Sequence, residues 1–363
     1  MAEDLLSVED LRVEFERSDG TVYAVNGVDF SVAPGETLGI VGESGSGKSV
    51  SVLSIMGLLR GNGQVTGGTA KFMGKDLLKL RRRQLEDIRG RDIGMIFQDP
   101  MSSLNPTMRI GDQIMEGMLS HQYTNHKGAF NRALQLLEEV GIPEARARFR
   151  SYPHEFSGGM RQRAMIAMAV ACEPQLLIAD EPTTAVDVTV QTQILVLLRE
   201  LQQKQRMSVV LITHDFGVAT NVCDRIIVMY AGKVMESAPL ADFLARPAHP
   251  YTIGLRRSVI EVGTQAHQLK AIPGVATTLM APPHNCPFAE RCQWVTDLCR
   301  AEVPELRPLS DGHFVACHRA EEVLAEAGAN GAERAAPRGD GASASARSRG
   351  AWSQAGDEAT LHA

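Results

Sequence analysis

One short segment constrains this chain more than any other, because a glycine-rich loop lies there between a strand pattern and a helix pattern. Residues 42–49 read Gly-Glu-Ser-Gly-Ser-Gly-Lys-Ser and match G-x-x-x-x-G-K-[ST]. The apolar run 37–41 before them is typical of a buried parallel strand, and 50–59 after them is helical in pattern. We therefore predict a loop whose backbone N–H groups bind phosphate oxygens at a helix N-terminus.

The polar residues of this loop have predicted roles in holding a nucleoside triphosphate and Mg²⁺. We expect Lys48 to reach the β- and γ-phosphates and Ser49 to bind Mg²⁺. The flanking strand and helix disfavour the alternative, a Gly/Ser-rich loop that binds nothing. The other loop residues expected to bind the phosphates are Gly42, Ser44, Gly45 and Gly47.

Two acidic residues end a later apolar run, 176–179. Asp180 fits the role of an Mg²⁺ ligand, and Glu181 could orient or deprotonate an attacking water. The competing interpretation is an acidic N-cap of the next helix. The upstream phosphate loop favours the hydrolytic interpretation.

The strand and helix patterns alternate through most of the chain. The apolar runs 37–41, 176–179 and 208–212 predict buried strands, and 190–201 is periodic enough for a helix that joins two of them. This order predicts an α/β fold with a mostly parallel sheet.

Charge and hydropathy exclude some classes of protein. The 363 residues include 37 basic and 43 acidic side chains, and the net charge of −6 argues against sequence-independent nucleic-acid binding. No apolar run approaches the ~18 residues of a membrane-spanning helix, and the N-terminus lacks the layout of a signal peptide. We therefore expect a soluble, cytosolic chain.

A second glycine-rich segment precedes a later helical run. Ser157, Gly158 and Gly159 form a pattern that predicts a second anion-binding nest at a helix start. One nucleotide does not need two nests in one chain. The second nest makes sense if it binds the γ-phosphate of a nucleotide held by another subunit.

At this point the sequence resembles the ATPase subunits of ABC transporters. The segment Ser157-Gly158-Gly159 is similar to their signature motif, although Phe156 and Met160 stand where Leu and Gln are usual. The usual Gln carries part of the signature contact, so Met160 is expected to alter affinity. The resemblance implies ATP and Mg²⁺ as the cofactors.

Further single residues resemble family positions through their context. Gln98 follows the strand pattern 94–97 and resembles the glutamine that senses Mg²⁺ and the membrane partner. His214 resembles the switch histidine at the γ-phosphate, and Asp187 resembles an aspartate that crosses the dimer interface. For the aromatic residue that stacks on adenine, the candidates are Phe15 first and Tyr23 second, and either could instead be a core aromatic.

Three longer segments resemble the dipeptide/oligopeptide permease branch of the family: 98–106, 180–185 and 249–252. The resemblance extends from about residue 5 to residue 320. It implies an ABC-type P-loop ATPase with a RecA-like parallel sheet core in residues 1–236. Within that domain we expect an antiparallel β subdomain (about 1–35 and 60–75) and a helical subdomain (about 101–172).

The residues after 236 differ in composition from those before them. We expect a small Cys-rich C-terminal domain over 237–320 and a disordered tail over 321–363, because the last part is dominated by Ala, Gly and Ser.

Four of the six cysteines lie close together in sequence, with the spacing C-x5-C-x6-C-x17-C. They are Cys286, Cys292, Cys299 and Cys317. In a cytosolic chain such a group favours metal ligation over disulfides. The residues alone leave zinc and a [4Fe–4S] cluster open, and free or oxidised thiols are the remaining alternative. Nearby alternative ligands are His284, His313 and His318. The permease resemblance implies the iron–sulfur cluster, in a structural or redox-sensing role.

The resemblance implies a subunit whose ATP hydrolysis powers import of di- or oligopeptides across the bacterial cytoplasmic membrane. It implies peripheral attachment on the cytoplasmic side, with Glu181, His214 and Gln98 as catalytic residues. The implied partners are a second ATPase subunit, often a distinct homologue, two transmembrane permease subunits and an extracellular or periplasmic peptide-binding protein; no nucleic acid is expected.

Alternatives within the family are importers of nickel complexes or oligosaccharides. A non-transport ABC ATPase acting on DNA is disfavoured, because Gln98 and Ser157 are too close in sequence for long coiled-coil arms. One acting on the ribosome would carry two ATPase domains, whereas this sequence has one phosphate loop. A metal-sensing regulatory ATPase without transport is suggested only by the cysteines.

Overall fold

The protein is seen in a computed structural model, which describes residues 4–184, 187–258, 272–275 and 277–326. The strands are β1 (Leu6–Arg17), β2 (Gly20–Val32), β3 (Thr37–Val41), β4 (Gly63–Phe72), β5 (Lys75–Asp76), β6 (Ile93–Ile96), β7 (Leu176–Asp180), β8 (Ser208–Thr213), β9 (Arg225–Tyr230), β10 (Lys233–Pro239), β11 (Arg307–Ser310) and β12 (His313–Val315). The helices are α1 (Lys48–Ile55), α2 (Arg82–Ile88), α3 (Pro100–Ser103), α4 (Ile110–Ser120), α5 (His126–Glu139), α6 (Ala145–Arg148), α7 (Gly158–Ala169), α8 (Val188–Gln205), α9 (Phe216–Val222), α10 (Leu240–Ala245), α11 (Pro250–Ser258) and α12 (Asp297–Ala301), with a further helical stretch at 320–326.

A four-stranded antiparallel sheet forms the N-terminal part, in the order β2-β1-β4-β5. Leu11 and Val13 of β1 are buried while Arg12 between them is exposed, as expected of a strand with one face on the core. Strands β1 and β2 lie within 1–35 and β4 within 60–75, the segments where an antiparallel β subdomain was expected.

A larger sheet carries the centre of the molecule, in the order β11-β12-β10-β9-β3-β8-β7-β6. The five strands from β9 to β6 are parallel, and the remaining pairs are antiparallel. Every residue of β3, β7 and β8 is buried, which confirms the predicted buried strands. Because β6, β7, β8 and β3 are parallel, the segments that follow them lie at one edge of the sheet.

The helices α3 to α7 lie between β6 and β7 in sequence, where the helical subdomain was expected. Helix α5 buries Ala129, Ala133, Leu136 and Leu137 along one face. Helices α4, α5 and α7 pack against one another. Within the described ranges, no helix combines the length and the apolar composition needed to cross a bilayer.

The C-terminal part continues the large sheet, whereas a separate small domain was expected. Strand β10 runs through the expected boundary at 236, and β12 pairs with it at Glu236↔Val315 and Ser237↔Phe314. This pairing satisfies backbone groups that an edge strand would otherwise leave exposed. The helical stretch 320–326 begins where the disordered tail was expected, and residues 327–363 of that expected tail lie outside the described part of the chain.

Candidate functional site

The phosphate loop connects β3 to α1, and its backbone requires glycine at two positions. Gly42 (φ +156°) has no room for a side chain, since a Cβ there would lie 2.2 Å from the Met229 carbonyl oxygen. At Gly47 (φ +97°) a Cβ would lie 2.6 Å from the Ala24 carbonyl oxygen. The loop conformation is therefore available only to this glycine pattern.

The Lys48 ammonium lies inside this loop. Its Nζ donates to the carbonyl oxygens of Gly42 and Glu43, each at 2.8 Å. Burial lowers the pKa of Lys48, and the carboxylates of Glu181 and Asp180 oppose that change. To bind a phosphate, Lys48 would exchange its carbonyl partners for phosphate oxygens. Exposed residues at the tip of the loop are Ser44 and Gly45.

Ser49 and Asp180 contact each other across the site. The Ser49 hydroxyl donates to Asp180 Oδ1 at 2.7 Å, and Asp180 is the last residue of β7. Burial raises the pKa of Asp180, while the hydrogen bond from Ser49 lowers it. A hydroxyl and a carboxylate oxygen at this position are hard oxygen ligands of the kind that Mg²⁺ prefers.

Glu181 is the centre of a hydrogen-bond network. Gln98 Nε2 donates to Glu181 Oε2 at 2.8 Å, and Thr184 Oγ1 donates to the same oxygen at 2.9 Å. His214 Nδ1 lies 3.2 Å from Glu181 Oε1. Burial alone would raise the pKa of Glu181, but the hydrogen bonds from Thr184 and His214, together with electrostatic attraction to His214 and Lys48, lower the pKa on balance. The carboxylate is therefore ionised at neutral pH.

Thr184 was not among the site residues expected from the sequence. A signal existed, because a Thr three residues after an acidic residue at a strand end is well placed to bond back to it.

The second glycine-rich segment caps α7. Ser157 is its N-cap and accepts a hydrogen bond from the Met160 N–H at 3.3 Å. Gly158 has open space where a Cβ would stand, and a Cβ on Gly159 would meet Val190 of α8 at 3.3 Å. The start of α7 therefore lies beside the start of α8.

Asp187 caps α8 in the same region. Its side chain accepts from the Val190 N–H at 3.0 Å, and the residue is exposed. None of the hydrogen bonds found among the described residues joins 157–159 to the phosphate loop at 42–49. The prediction that this segment acts on another subunit's nucleotide stays a prediction.

The two aromatic candidates have different surroundings. Phe15 packs against Gly63 of β4 and is partly buried there. Tyr23 lines an open cleft of about 310 Å³ between β2, Lys233 of β10 and the prolines at 282–283. Its neighbour Ala24 touches the phosphate loop at Gly47. None of the described residues that line this cleft belongs to the phosphate loop, so the choice between Phe15 and Tyr23 stays a prediction.

The four clustered cysteines, Cys286, Cys292, Cys299 and Cys317, line one small pocket. All four are free thiols. Of the histidines named as alternative ligands, His318 lines the same pocket, whereas His313 hydrogen-bonds to Glu236. Among the described residues, no three Cys, His, Asp or Glu side chains are arranged as ligands of a metal ion. The four cysteines expected to bind iron–sulfur or zinc therefore share one pocket, but within the described residues they are not arranged as metal ligands.

Comparison with known proteins gives the family. The ABC transporter family model matches residues 25–184, and the model of the oligopeptide/dipeptide transporter C-terminal region matches residues 235–299. The oligopeptide transport ATP-binding protein OppD of Salmonella typhimurium is 49% identical over 320 residues, which cover 88% of this chain and 95% of that protein. The dipeptide transport ATP-binding protein DppD of Bacillus subtilis is 50% identical over 327 residues, covering 89% and 98%.

A solved structure with the same core fold is the ATP-binding cassette MJ0796, a dimer in a post-hydrolysis state with bound ADP and Pi. The two structures superpose with a TM-score of 0.59 at 28% sequence identity, and the match covers 65% of this chain and 98% of the MJ0796 chain. The chain therefore belongs to the family of oligopeptide and dipeptide ABC transporter ATP-binding proteins, and it is an ABC-type ATPase.

Proposed function

We propose that this chain hydrolyses ATP at the phosphate loop in order to power the import of dipeptides or oligopeptides. The observation that carries the proposal is the convergence of Ser49, Gln98, Asp180, Glu181 and His214 at one edge of the parallel sheet. The similarity to peptide transport proteins on both sides of residue 235 supports the choice of substrate.

The phosphate loop would hold the triphosphate. Backbone N–H groups of 42–49 and the N-terminus of α1 would bind the phosphates, with Lys48 at the β- and γ-phosphates. Ser49, Asp180 and Gln98 would hold Mg²⁺, which offsets the negative charge of the triphosphate when it is bound. Gln98 donates to Glu181 through its Nε2, so its carbonyl oxygen is the atom suited to a metal ion.

Glu181 would act as the base that receives a proton from the attacking water. Its carboxylate is ionised, as a base requires, but both of its oxygens already have partners. It would therefore exchange at least one of these partners for the water. His214 would hold Glu181 in orientation from the end of β8 and contact the γ-phosphate, and Phe15 or Tyr23 would stack on adenine.

A second ATPase subunit would complete each site. Ser157, Gly158, Gly159 and Asp187 cap two adjacent helix starts on the exposed surface, where a partner subunit's nucleotide could bind. The dimeric state of the similar cassette supports such a pairing. We propose a homologous partner ATPase.

Two transmembrane permease subunits and a peptide-binding protein outside the membrane would complete the transporter. This chain would be peripheral on the cytoplasmic side, with the segment near Gln98 passing the motion to the permease.

We further propose that Cys286, Cys292, Cys299 and Cys317 hold a [4Fe–4S] cluster, with zinc as the alternative. Four thiols facing one pocket are a suitable ligand set. Burial raises the pKa of the Cys286, Cys292 and Cys317 thiols, and the nearby backbone N–H groups of Phe288, Trp294 and Arg319 oppose that change. The bound group would hold the C-terminal segment together.

Co-purification tests the transporter assignment. Tagged protein extracted from membranes of its native host should bring a homologous ATPase and two hydrophobic subunits in stoichiometric amounts. Isolation of this chain without any hydrophobic subunit would contradict the proposal.

A further inference from the structure

One residue of the phosphate loop is held by the Cys-rich region. Arg291 donates from Nη1 to Glu43 Oε2 at 2.7 Å and from Nη2 to Glu43 Oε1 at 3.0 Å. This is the two-pronged geometry in which a guanidinium binds a carboxylate most specifically. The two residues are 248 positions apart in sequence, so the contact joins the phosphate loop to the Cys-rich C-terminal region.

Arg291 is fixed in place by several other contacts. Its Nε donates to the Pro273 carbonyl oxygen at 2.7 Å, and its side chain is only 7% exposed. The guanidinium carbon lies 5.6 Å from the centre of the Tyr230 ring and 5.9 Å from that of Phe288. A side chain held from several directions can impose its position on a loop residue.

The backbone of Glu43 is held from the same side. The Glu43 N–H donates to the Tyr251 hydroxyl at 2.9 Å. The Tyr251 ring packs on Phe288 and Tyr230, with ring centres 5.2 Å and 4.9 Å apart. The side chain and the backbone of one loop residue therefore both depend on the packing around Phe288.

Glu43 in turn contacts the lysine that would bind phosphate. Its carbonyl oxygen accepts from Lys48 Nζ at 2.8 Å. We propose that Arg291 is a positioning residue for nucleotide binding, which acts through Glu43 to hold the backbone of the phosphate loop in the conformation that binds phosphate, while Lys48 exchanges its carbonyl partners for phosphate oxygens. This inference rests on the proposed role of the loop in binding ATP.

The same contact links the phosphate loop to the cysteine pocket. Arg291 directly precedes Cys292, and Phe288 lines the pocket with Cys286 and Cys292. A group bound by the thiols would restrain the 286–292 segment, which contains Arg291.

The test compares four variants of the full chain by titration with a fluorescent ATP analogue. Arg291→Met and Glu43→Gln should each raise the Kd about tenfold, the loss expected for one charged hydrogen-bonded contact. The double variant should be little weaker than either single variant, because both remove the same contact. Arg291→Lys should recover part of the affinity, since lysine keeps the positive charge but cannot form two parallel hydrogen bonds to the carboxylate.

A matched control is Arg307→Met, which removes another arginine of the C-terminal region whose partner is Glu321. It should keep the wild-type Kd. In steady-state assays, the loss in Arg291→Met should fall mainly on KM, which an effect on fold stability alone would not produce.

The outcomes separate this inference from the proposed function. Wild-type affinity in folded Arg291→Met overturns the inference, and so does simple additivity in the double variant. If Arg291→Met does not fold, Glu43→Gln decides alone, and wild-type affinity there overturns the inference. Failure of the wild-type chain to bind the ATP analogue would instead overturn the proposed function.

Discussion

At the scale of single residues, Glu181 has an unusual backbone. Its φ of +48° is in the left-handed region, which costs a non-glycine residue about 1 kcal/mol. The hydrogen bonds from Gln98 and Thr184 and the contact with His214 hold the carboxylate in that position. Such strain at the end of a strand is typical of a residue whose direction matters for chemistry.

The first prediction concerns the Glu181 carboxylate. Glu181→Gln should bind ATP with near wild-type affinity, because the phosphate loop is intact, but its turnover should fall by about 10² to 10⁴. Steady-state hydrolysis and nucleotide titration measure both quantities. Glu138→Gln, on the exposed face of α5, is the control and should behave as wild type. Wild-type turnover in Glu181→Gln would rule out its role as the base.

The second prediction compares two loop glycines. Both Gly45 (φ +80°) and Gly47 (φ +97°) would strain an alanine, but only Gly47→Ala would also press a Cβ against the Ala24 carbonyl oxygen, 2.6 Å away. Gly47→Ala should therefore lower the melting temperature and the nucleotide affinity more than Gly45→Ala does. Equal losses in a thermal-shift and titration series would contradict the close approach to Ala24 as the cause.

At the scale of elements, the strand ends that carry the site were largely predictable. Apolar runs indicated β3, β7 and β8, and their parallel order brings the following residues to one edge. The cleft beside Tyr23 was not predictable, because it depends on how β2, β10 and the prolines at 282–283 lie together. The contact of Arg291 with Glu43 had no local sequence signal at all.

The C-terminal strands also escaped prediction. Strands β11 and β12 have only four and three residues, too few to show a period. What fixes β12 to β10 is Glu236, a fully buried residue that accepts from the N–H groups of Ala248 at 2.8 Å and His249 at 2.9 Å. Its Oε1 also lies 2.9 Å from His313 Nε2. A buried carboxylate with these partners ties β10 to both following segments.

The third prediction follows from that carboxylate. Glu236→Leu would leave two N–H groups and His313 without their acceptor, and should lower the free energy of unfolding by about 2 to 4 kcal/mol. Denaturant unfolding measures the loss. Glu321→Gln, which removes only an exposed ion pair with Arg307, should cost less than about 1 kcal/mol. Equal stability of the two variants would show that Glu236 does not hold this junction.

At the scale of the whole molecule, the ATPase part and the C-terminal part share one sheet and one phosphate loop. Strand β12 extends the sheet beyond β10, and Arg291 reaches back to Glu43. The C-terminal part therefore extends the sheet beside β10 and contacts the phosphate loop, on which nucleotide binding depends.

The fourth prediction concerns the group held by the cysteines. Protein purified without oxygen should be brown and contain about four iron atoms per chain. Cys292→Ser should lose the colour and most of the iron, whereas Cys223→Ser, whose thiol is buried near Gly39 and away from the pocket, should keep both. Colourless protein with one zinc per chain would replace iron–sulfur by zinc, and protein with neither metal would contradict the metal site.

The most direct test of the account is ATP-dependent uptake of a labelled peptide into vesicles that contain the complete transporter. With this chain as one ATPase subunit, the labelled peptide should accumulate only when ATP is supplied on the side that holds this chain. Replacing the wild-type chain by Glu181→Gln should abolish most of the uptake while ATP still binds. Undiminished uptake with Glu181→Gln, or hydrolysis that never drives a peptide across, would contradict the claim that this site powers peptide import.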